Sequence, residues 1–180
     1  MSAEKRHNDI YAERFEDIKD RLPGAKLEWL SRLRSEAIDR FLTCGYPTAK
    51  VEEWKYTNLS KICDQPFSMA CPSINGIVIS DIEALFLDPA PCHRMVFVNG
   101  FFRQDLSDIG VLPEGLRLTT TEEILSERPE LVEEYWSHPW ADYEDRLSGV
   151  QDPKPFSMVA LNTALSPGGP VLYLDRNVEP

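Results

Sequence analysis

The sequence predicts an α+β fold, in which an N-terminal helical hairpin is followed by a small, mainly antiparallel sheet with flanking helices. Three observations predict it. Apolar residues repeat with a helical period over the first 45 positions, runs rich in Val, Ile and Phe follow between residues 74 and 107, and helical patterns return after residue 120. A chain of 180 residues corresponds to about one domain.

Two amphipathic helices make up the predicted hairpin. In residues 8–22 the apolar positions recur every three or four residues, at Tyr11, Phe15, Ile18 and Leu22. A second stretch has a wider apolar face, formed by Leu27, Leu30, Leu33, Ala37, Ile38, Phe41 and Leu42. Gly45 is typical of a helix C-terminal cap and Pro47 cannot continue a helix, so the second helix is expected to end here.

The middle of the chain is β-prone. The runs INGIVIS (74–80) and RMVFVNGFFRQDLS (94–107) are rich in β-branched and aromatic residues. In the second run the Asn99-Gly100 pair supplies the positive φ angles of a type I′ turn, which predicts a β-hairpin. A further strand is predicted for GLRLTT (115–120).

Helices and one more strand are predicted after residue 120. Thr120 or Thr121 can cap a helix that continues to about Ser126, with Glu123 in the capping-box position, and Pro129 suits the first turn of the next helix. Residues 139–155 are expected to form a loop. A mostly buried helix follows at 156–165, with one face formed by Phe156, Val159, Ala160 and Thr163. The final apolar run, VLYLD, is predicted to be an edge strand or the point of a truncation.

Charge and hydropathy argue against several classes of function. The net charge is -11, with 11 basic and 11 acidic residues in positions 1–55, so the acidic excess lies in the rest of the chain. It is densest in residues 122–145, read here as a solvated acidic helical face. Such a surface repels phosphate backbones, so no nucleic-acid partner is expected. No apolar run approaches the roughly 20 residues of a membrane span, and the charged N-terminus predicts a cytoplasmic protein without a membrane partner.

The residues that could carry chemistry form no recognisable site. The sequence has no phosphate-binding glycine loop, and its three histidines are far apart. One alternative is a stand-alone metal-binding or cluster-binding protein that uses Cys63, Cys71, Cys92 and His93, although these residues lack the paired spacing typical of such sites. Another is a small enzyme whose site is assembled only by the fold. No catalytic residue is predicted.

The run YPTAKVEEWKYTNL (46–59) is dense in large and polar residues. Trp54 and Tyr56 are predicted to be buried aromatic rings that fasten this connecting segment to the preceding helices through a ring N–H or O–H, with Lys55 pointing outward. A ligand platform is the alternative interpretation. Glu52 and Glu53 are adjacent and so point in different directions, which argues against a paired acid-base site.

This segment resembles the N-terminal region of the SufB/SufD family of iron-sulfur cluster assembly scaffold proteins, and is closest to SufD. In that family a Gly and a Pro-Thr turn precede an acidic residue and a Trp-Lys-Tyr-Thr-x-Leu run. The matching positions are Gly45, Pro47, Thr48, Lys50, Glu53, Trp54, Lys55, Tyr56, Thr57 and Leu59. The hairpin around Asn99 and Gly100 and the passage 155–175 are similar to family stretches in order and spacing.

The resemblance implies an organisation and a role. It implies a hairpin and anchor segment at 1–60, a small α+β region at 61–155 and, at 156–180, the lead-in to the first strand of a truncated β-helix. It also implies a non-enzymatic subunit of the SufBCD complex, with a SufB-like scaffold subunit and a SufC-like ABC-type ATPase as partners through regions mostly absent here. The full complex would assemble the iron-sulfur cluster, and no cofactor-binding or metal-binding residue carries over to this chain.

Overall fold

The computed structural model describes residues 3–63, 65, 67–70, 76–86, 92–136, 154–176 and 178. Its helices are α1 (Ala3–Ile18), α2 (Glu28–Cys44), α3 (Ser60–Cys63), α4 (Ile79–Ile82), α5 (Thr121–Glu127), α6 (Pro129–Trp136) and α7 (Ser157–Leu165). Its strands are β1 (Phe97–Val98), β2 (Phe101–Phe102), β3 (Leu116–Thr120) and β4 (Pro170–Leu174). Short 3-10 turns lie at Lys19–Arg21, Glu52–Trp54, Glu83–Leu85, Gln104–Leu106 and Lys154–Phe156. Helices combined with antiparallel strands confirm the predicted α+β class.

The chain divides into two compact units, each built from two separate stretches of sequence. Unit 1 comprises Met1–Ser68 and Arg128–Ser166, and unit 2 comprises Met69–Glu127 and Pro167–Pro180. The three consecutive regions expected from the sequence stay a prediction. Within the described residues, no helix combines the length and the apolar character needed to cross a bilayer.

Unit 1 is helical, and its core forms where the predicted apolar faces meet. Phe15 of α1, Ala37, Ile38 and Phe41 of α2, and Ala160 and Ala164 of α7 are buried together. Helix α2 packs against both α1 and α7. The predicted hairpin of α1 and α2 is therefore confirmed, because the apolar residues that recur with the helical period are the ones removed from solvent.

The predicted face of helix α7 is only partly correct, since Ala160 is buried as predicted but the other buried positions differ. Its fully buried residues are Ser157, Ala160 and Ala164, whereas Val159 and Thr163 are only partly buried. Small side chains at these positions allow the backbones of α2 and α7 to approach closely. The sequence pattern pointed to larger residues, which the structure leaves partly exposed.

The strands that the structure describes in unit 2 form two separate two-stranded antiparallel sheets rather than one sheet. Strands β1 and β2 form the predicted hairpin, with Phe97 opposite Phe102, and Asn99 and Gly100 have φ angles of 51° and 88°. Strand β4 pairs with β3 along its whole length, from Leu116 opposite Leu174 to Thr120 opposite Pro170. The final strand thus has a partner that is distant in sequence.

The junction between β3 and α5 has the predicted capping box. The Thr120 hydroxyl accepts a hydrogen bond from the Glu123 backbone N–H, and the Glu123 carboxylate accepts one from the Thr120 N–H, both at 3.3 Å. The Thr119 hydroxyl also donates to this carboxylate and is the largest cause of the lowered pKa of Glu123. Helix α6 begins at Pro129, as predicted.

The β-prone run at 74–80 is not a strand where the structure describes it. Residues Ile79 to Ile82 form the short helix α4, and the Asp81 carboxylate accepts a hydrogen bond from the Val78 N–H at 2.9 Å. This local carboxylate contact stabilises a helical turn, and none of the described strands pairs with it. Residues 74–75 lie outside the described residues, and so do residues 139–153 of the predicted loop.

Candidate functional site

The candidate functional site is the 45–59 segment, which begins where α2 ends. Gly45 has a φ angle of 67°, and its N–H donates to the Phe41 carbonyl at 2.7 Å. A positive φ is unfavourable for residues with a Cβ, so this position favours glycine. Thr48 then closes a turn, because its carbonyl accepts from the Val51 N–H at 2.9 Å. The segment therefore leaves the helix in a direction fixed by backbone hydrogen bonds.

Tyr46 holds the start of this segment in the core of unit 1. Its hydroxyl is 2.7 Å from the Tyr11 hydroxyl, and its ring packs edge-to-face on Phe41 with centroids 5.4 Å apart. Burial is the main cause of the raised pKa of Tyr46, and the hydrogen bond to Tyr11 is the second cause. No role was predicted for Tyr46 from the sequence. The available signal was its position just after the capping glycine, where an apolar residue commonly packs back on the helix.

Trp54 attaches the middle of the segment to the residues before α7. It lies at the end of the 3-10 turn Glu52–Trp54, is half-buried, and its indole Nε1 donates to the carbonyl of buried Pro155 at 3.1 Å. A side chain that donates to a backbone carbonyl 101 positions away can hold two distant segments together. That Trp54 stabilises this segment stays a prediction. The sequence did not predict that Pro155 is its hydrogen-bond partner.

The Tyr56 ring is not buried, contrary to the prediction. Its side chain is 91% exposed. Lys55 lies over the Tyr56 ring, 5.1 Å from its centroid, and pairs with the Glu52 carboxylate. The sequence showed two aromatic rings but not that adjacent positions in a tight turn point in different directions. Only Trp54 of the two is directed toward the protein.

The end of the segment returns to the core. The Thr57 N–H donates to the Trp54 carbonyl at 2.8 Å, which closes a further turn. The Asn58 side chain then accepts from the Ser60 N–H at 2.9 Å, at the start of α3. Leu59 packs on the apolar core of unit 1. The 45–59 segment is thus attached at both ends and in the middle.

The other predicted motif residues, Asn99 and Gly100, lie in unit 2. They form the turn between β1 and β2, where the Phe97 and Phe102 rings are 5.5 Å apart. Both turn residues are exposed. Gly100 also lines a groove of unit 2 to which Glu122 and Glu123 of α5 contribute.

The structure describes three of the four proposed ligands of the metal-binding alternative. Cys63 belongs to unit 1, whereas Cys92 and His93 belong to unit 2, and Cys71 lies outside the described residues. One ring nitrogen of His93 is hydrogen-bonded to the Ile109 carbonyl. Across the ranges that the structure describes, no group of three or more His, Cys, Asp or Glu side chains is placed to hold a metal ion.

Comparison with known proteins assigns the chain to a family. The family model of the SufBD protein N-terminal region matches residues 1–179. The chain belongs to the SufBD family. A protein of Synechocystis sp. (strain PCC 6803), named as an iron-sulfur cluster assembly SufBD family protein, is 29% identical over 115 residues.

That alignment covers 62% of this chain but only 24% of the Synechocystis protein. The chain thus corresponds to about a quarter of the length of this SufBD relative. No solved structure gives a significant match. The family model extends over the 45–59 segment and both turn residues of the hairpin, so the segment that the sequence singled out lies in the N-terminal region of SufBD proteins.

Proposed function

We propose that this chain is the N-terminal domain of a SufD-like scaffold subunit of the SufBCD complex, and that it supports iron-sulfur cluster assembly. The observation that carries the proposal is the match of the SufBD N-terminal family model to residues 1–179. The name of the Synechocystis relative supports the link to cluster assembly. The particular resemblance to SufD rests on the 45–59 segment, the hairpin around Asn99 and Gly100, and the passage 155–175.

The proposed role is structural, without catalytic turnover by this chain. Two of the perturbed pKa values in the described residues have local structural causes: Tyr46 lies in the core, and Glu123 caps a helix. The 45–59 segment likewise uses its polar groups on its own backbone and on Pro155. These arrangements suit a domain that keeps its shape while other parts of an assembly bind the cluster and hydrolyse ATP. A SufB-like subunit and a SufC-like ATPase are the proposed partners, and the expected cytoplasmic location is part of this proposal.

Deletion in the native host tests this function. The codons for residues 1–180 are removed in frame from the chromosomal gene, in a strain whose other cluster assembly systems have been inactivated. The activity of a cluster-dependent dehydratase is then divided by the amount of its polypeptide. We expect this specific activity to fall and to be restored by a plasmid copy of the intact gene. Unchanged specific activity would contradict a role in cluster assembly.

Metal analysis separates the scaffold from the stand-alone metal-binding protein. The 180-residue chain is purified without oxygen, and its iron, zinc and acid-labile sulfide are measured per polypeptide. On the scaffold proposal all three are far below one per chain, because the cluster is assembled by the full complex. A value near one, lost in the Cys92→Ser variant, would instead support a metal site in this chain.

A further inference from the structure

A groove in unit 1 is lined by residues of α2, α6 and α7 and has a volume of about 260 Å³. Much of its wall is apolar and comes from Leu30, Leu33, Trp136 and Val159. Pockets for drug-sized ligands enclose roughly 300–1,000 Å³. The smaller volume of this groove suits a group about the size of one amino-acid side chain.

Arg34 of α2 also lines the groove, and it is the unusual feature of this wall. Its side chain lies on the buried face of α2, and the residue is 3% exposed. Its Nη1 donates to the Pro23 carbonyl at 2.8 Å, whereas its Nε is buried and has no hydrogen-bond partner in the described part of the chain. Burial lowers the pKa of Arg34 to about 10, so the guanidinium is still charged at neutral pH.

A buried guanidinium is normally satisfied by a carboxylate or by several acceptors, because an unpaired buried charge is strongly destabilising. Within the described residues, the hydrogen bond made by the guanidinium is to a neutral carbonyl, and burial rather than a charged partner shifts its pKa. An apolar side chain of similar length would fill this position on α2 without that cost. The charge and the unused Nε donor are therefore the features that a ligand could satisfy.

We propose that the groove binds a carboxylate carried on a short apolar group, and that Arg34 is the residue that recognises its charge. Because Nη1 is held by Pro23, the carboxylate would meet the guanidinium edge that carries Nε, where two parallel N–H groups suit the two oxygens of a carboxylate. Leu30, Leu33 and Val159 would contact the apolar part. Asn162, which also lines the groove, has an amide able to donate to the ligand.

Two sources share this chemistry: a free small organic acid and the C-terminal residue of a polypeptide. The probe for both is N-acetyl-leucine, which carries an apolar side chain next to a carboxylate. N-acetyl-leucinamide keeps the apolar part without the charge, and acetate keeps the charge without the apolar part. A pentapeptide with a C-terminal leucine separates the sources, because a site for a polypeptide end binds it more tightly than N-acetyl-leucine, and a small-acid site does not.

Binding is measured by NMR on the whole 20.6 kDa chain. The arginine Nε–H signals are the readout for the wild type, and the backbone amide signals of α2 and α7 are the readout for the wild type and for the variants that lack the Arg34 Nε–H. N-acetyl-leucine should shift the Arg34 Nε signal saturably, with a dissociation constant on the order of 1 mM. The amide and acetate should bind at least about tenfold more weakly, as expected for loss of a hydrogen bond to a charged group or of apolar contact. Equal binding of N-acetyl-leucine and its amide, or a shift that does not saturate, would overturn the proposal.

Variants separate a ligand role from a structural one. Arg34→Met removes the charge and should weaken binding at least about tenfold while the melting temperature stays the same or rises. Arg32→Met is the matched control, since the Arg32 side chain is 70% exposed on the same helix, and it should leave binding unchanged. Wild-type affinity in Arg34→Met would overturn the proposal. If Arg34→Met does not fold, Arg34→Lys decides, because it keeps the charge but lacks Nε: weaker binding supports the proposal and wild-type binding overturns it.

Discussion

The contact between Trp54 and Pro155 should contribute measurably to the stability of the chain, and Trp54→Ala tests this. An aromatic side chain buries about 150–250 Å² when fully enclosed, so the half-buried Trp54 ring removes about 100 Å² from water. At about 25 cal/mol per Å² this burial contributes about 2.5 kcal/mol. The hydrogen bond to the Pro155 carbonyl adds about 1 kcal/mol. We therefore expect Trp54→Ala to lower the free energy of unfolding by about 3.5 kcal/mol, toward the lower end of the cost of losing a fully buried ring.

Two further variants divide this effect into its parts. Trp54→Phe keeps most of the apolar contact but loses the hydrogen bond, so its cost should be about 1 kcal/mol. Tyr56→Ala is the matched control, because the Tyr56 side chain is 91% exposed, and it should cost less than about 0.5 kcal/mol. Urea denaturation followed by far-ultraviolet circular dichroism measures all three variants. If Trp54→Ala and Tyr56→Ala had the same midpoint as the wild type, Trp54 would not hold this segment, and the ligand-platform interpretation would gain support.

Three more predictions concern other contacts. Because burial and the Tyr11 hydrogen bond raise the pKa of Tyr46, the unfolded chain loses this proton first, so stability should fall as pH rises above about 10, by at most about 1.4 kcal/mol per pH unit. Urea titrations between pH 8 and 11 should show a shallower fall in Tyr46→Phe, and an equal slope would contradict this assignment. Thr120→Ala removes the cap of α5 and should cost about 1 kcal/mol in the same assay, whereas no change would mean that the capping box adds no stability. Gly168→Ala should lower the melting temperature, because φ at this position is 96° and a Cβ would lie 2.7 Å from the Cβ of Thr121; an unchanged melting temperature would show that the turn relaxes freely.

The features that the sequence predicted correctly depend on neighbours in the chain. The end of α2 at Gly45, the turn at Asn99 and Gly100, and the Thr120 capping box each involve residues within a few positions of one another. The identity of the residues there restricts the backbone directly, through positive φ angles or through a side-chain hydrogen bond to a nearby N–H. Local chemistry of this kind can be read from one sequence.

The features that the sequence did not predict depend on distant partners. Trp54 reaches Pro155, and β3 pairs with β4 about fifty positions later in the chain. The run at 74–80 has the composition of a strand, but composition cannot show that Val78 and Ile79 have no strand beside them and lie exposed instead. Propensity gave the wrong element there because tertiary context decides whether a β-prone run is paired.

Arg34 is a case in which a signal was present but unused. The residue follows Leu33 on the face of α2 that also carries Leu30, Ala37 and Phe41, all of which are buried. A charged residue on an otherwise apolar helical face breaks the expected pattern, and such breaks are expected at functional positions. The sequence could not show that the Arg34 Nε would lack a partner, since that depends on the packing of α2 with α6 and α7.

Affinity purification from the native host tests the central claim most directly. The protein is tagged at its N-terminus at its own chromosomal locus and purified under gentle conditions, and the co-purifying chains and the length of the tagged product are identified by mass spectrometry. The scaffold account predicts recovery of a SufB-like protein and an ABC-type ATPase in fixed proportion to the tagged chain. Recovery of the tagged chain with neither partner would contradict the account.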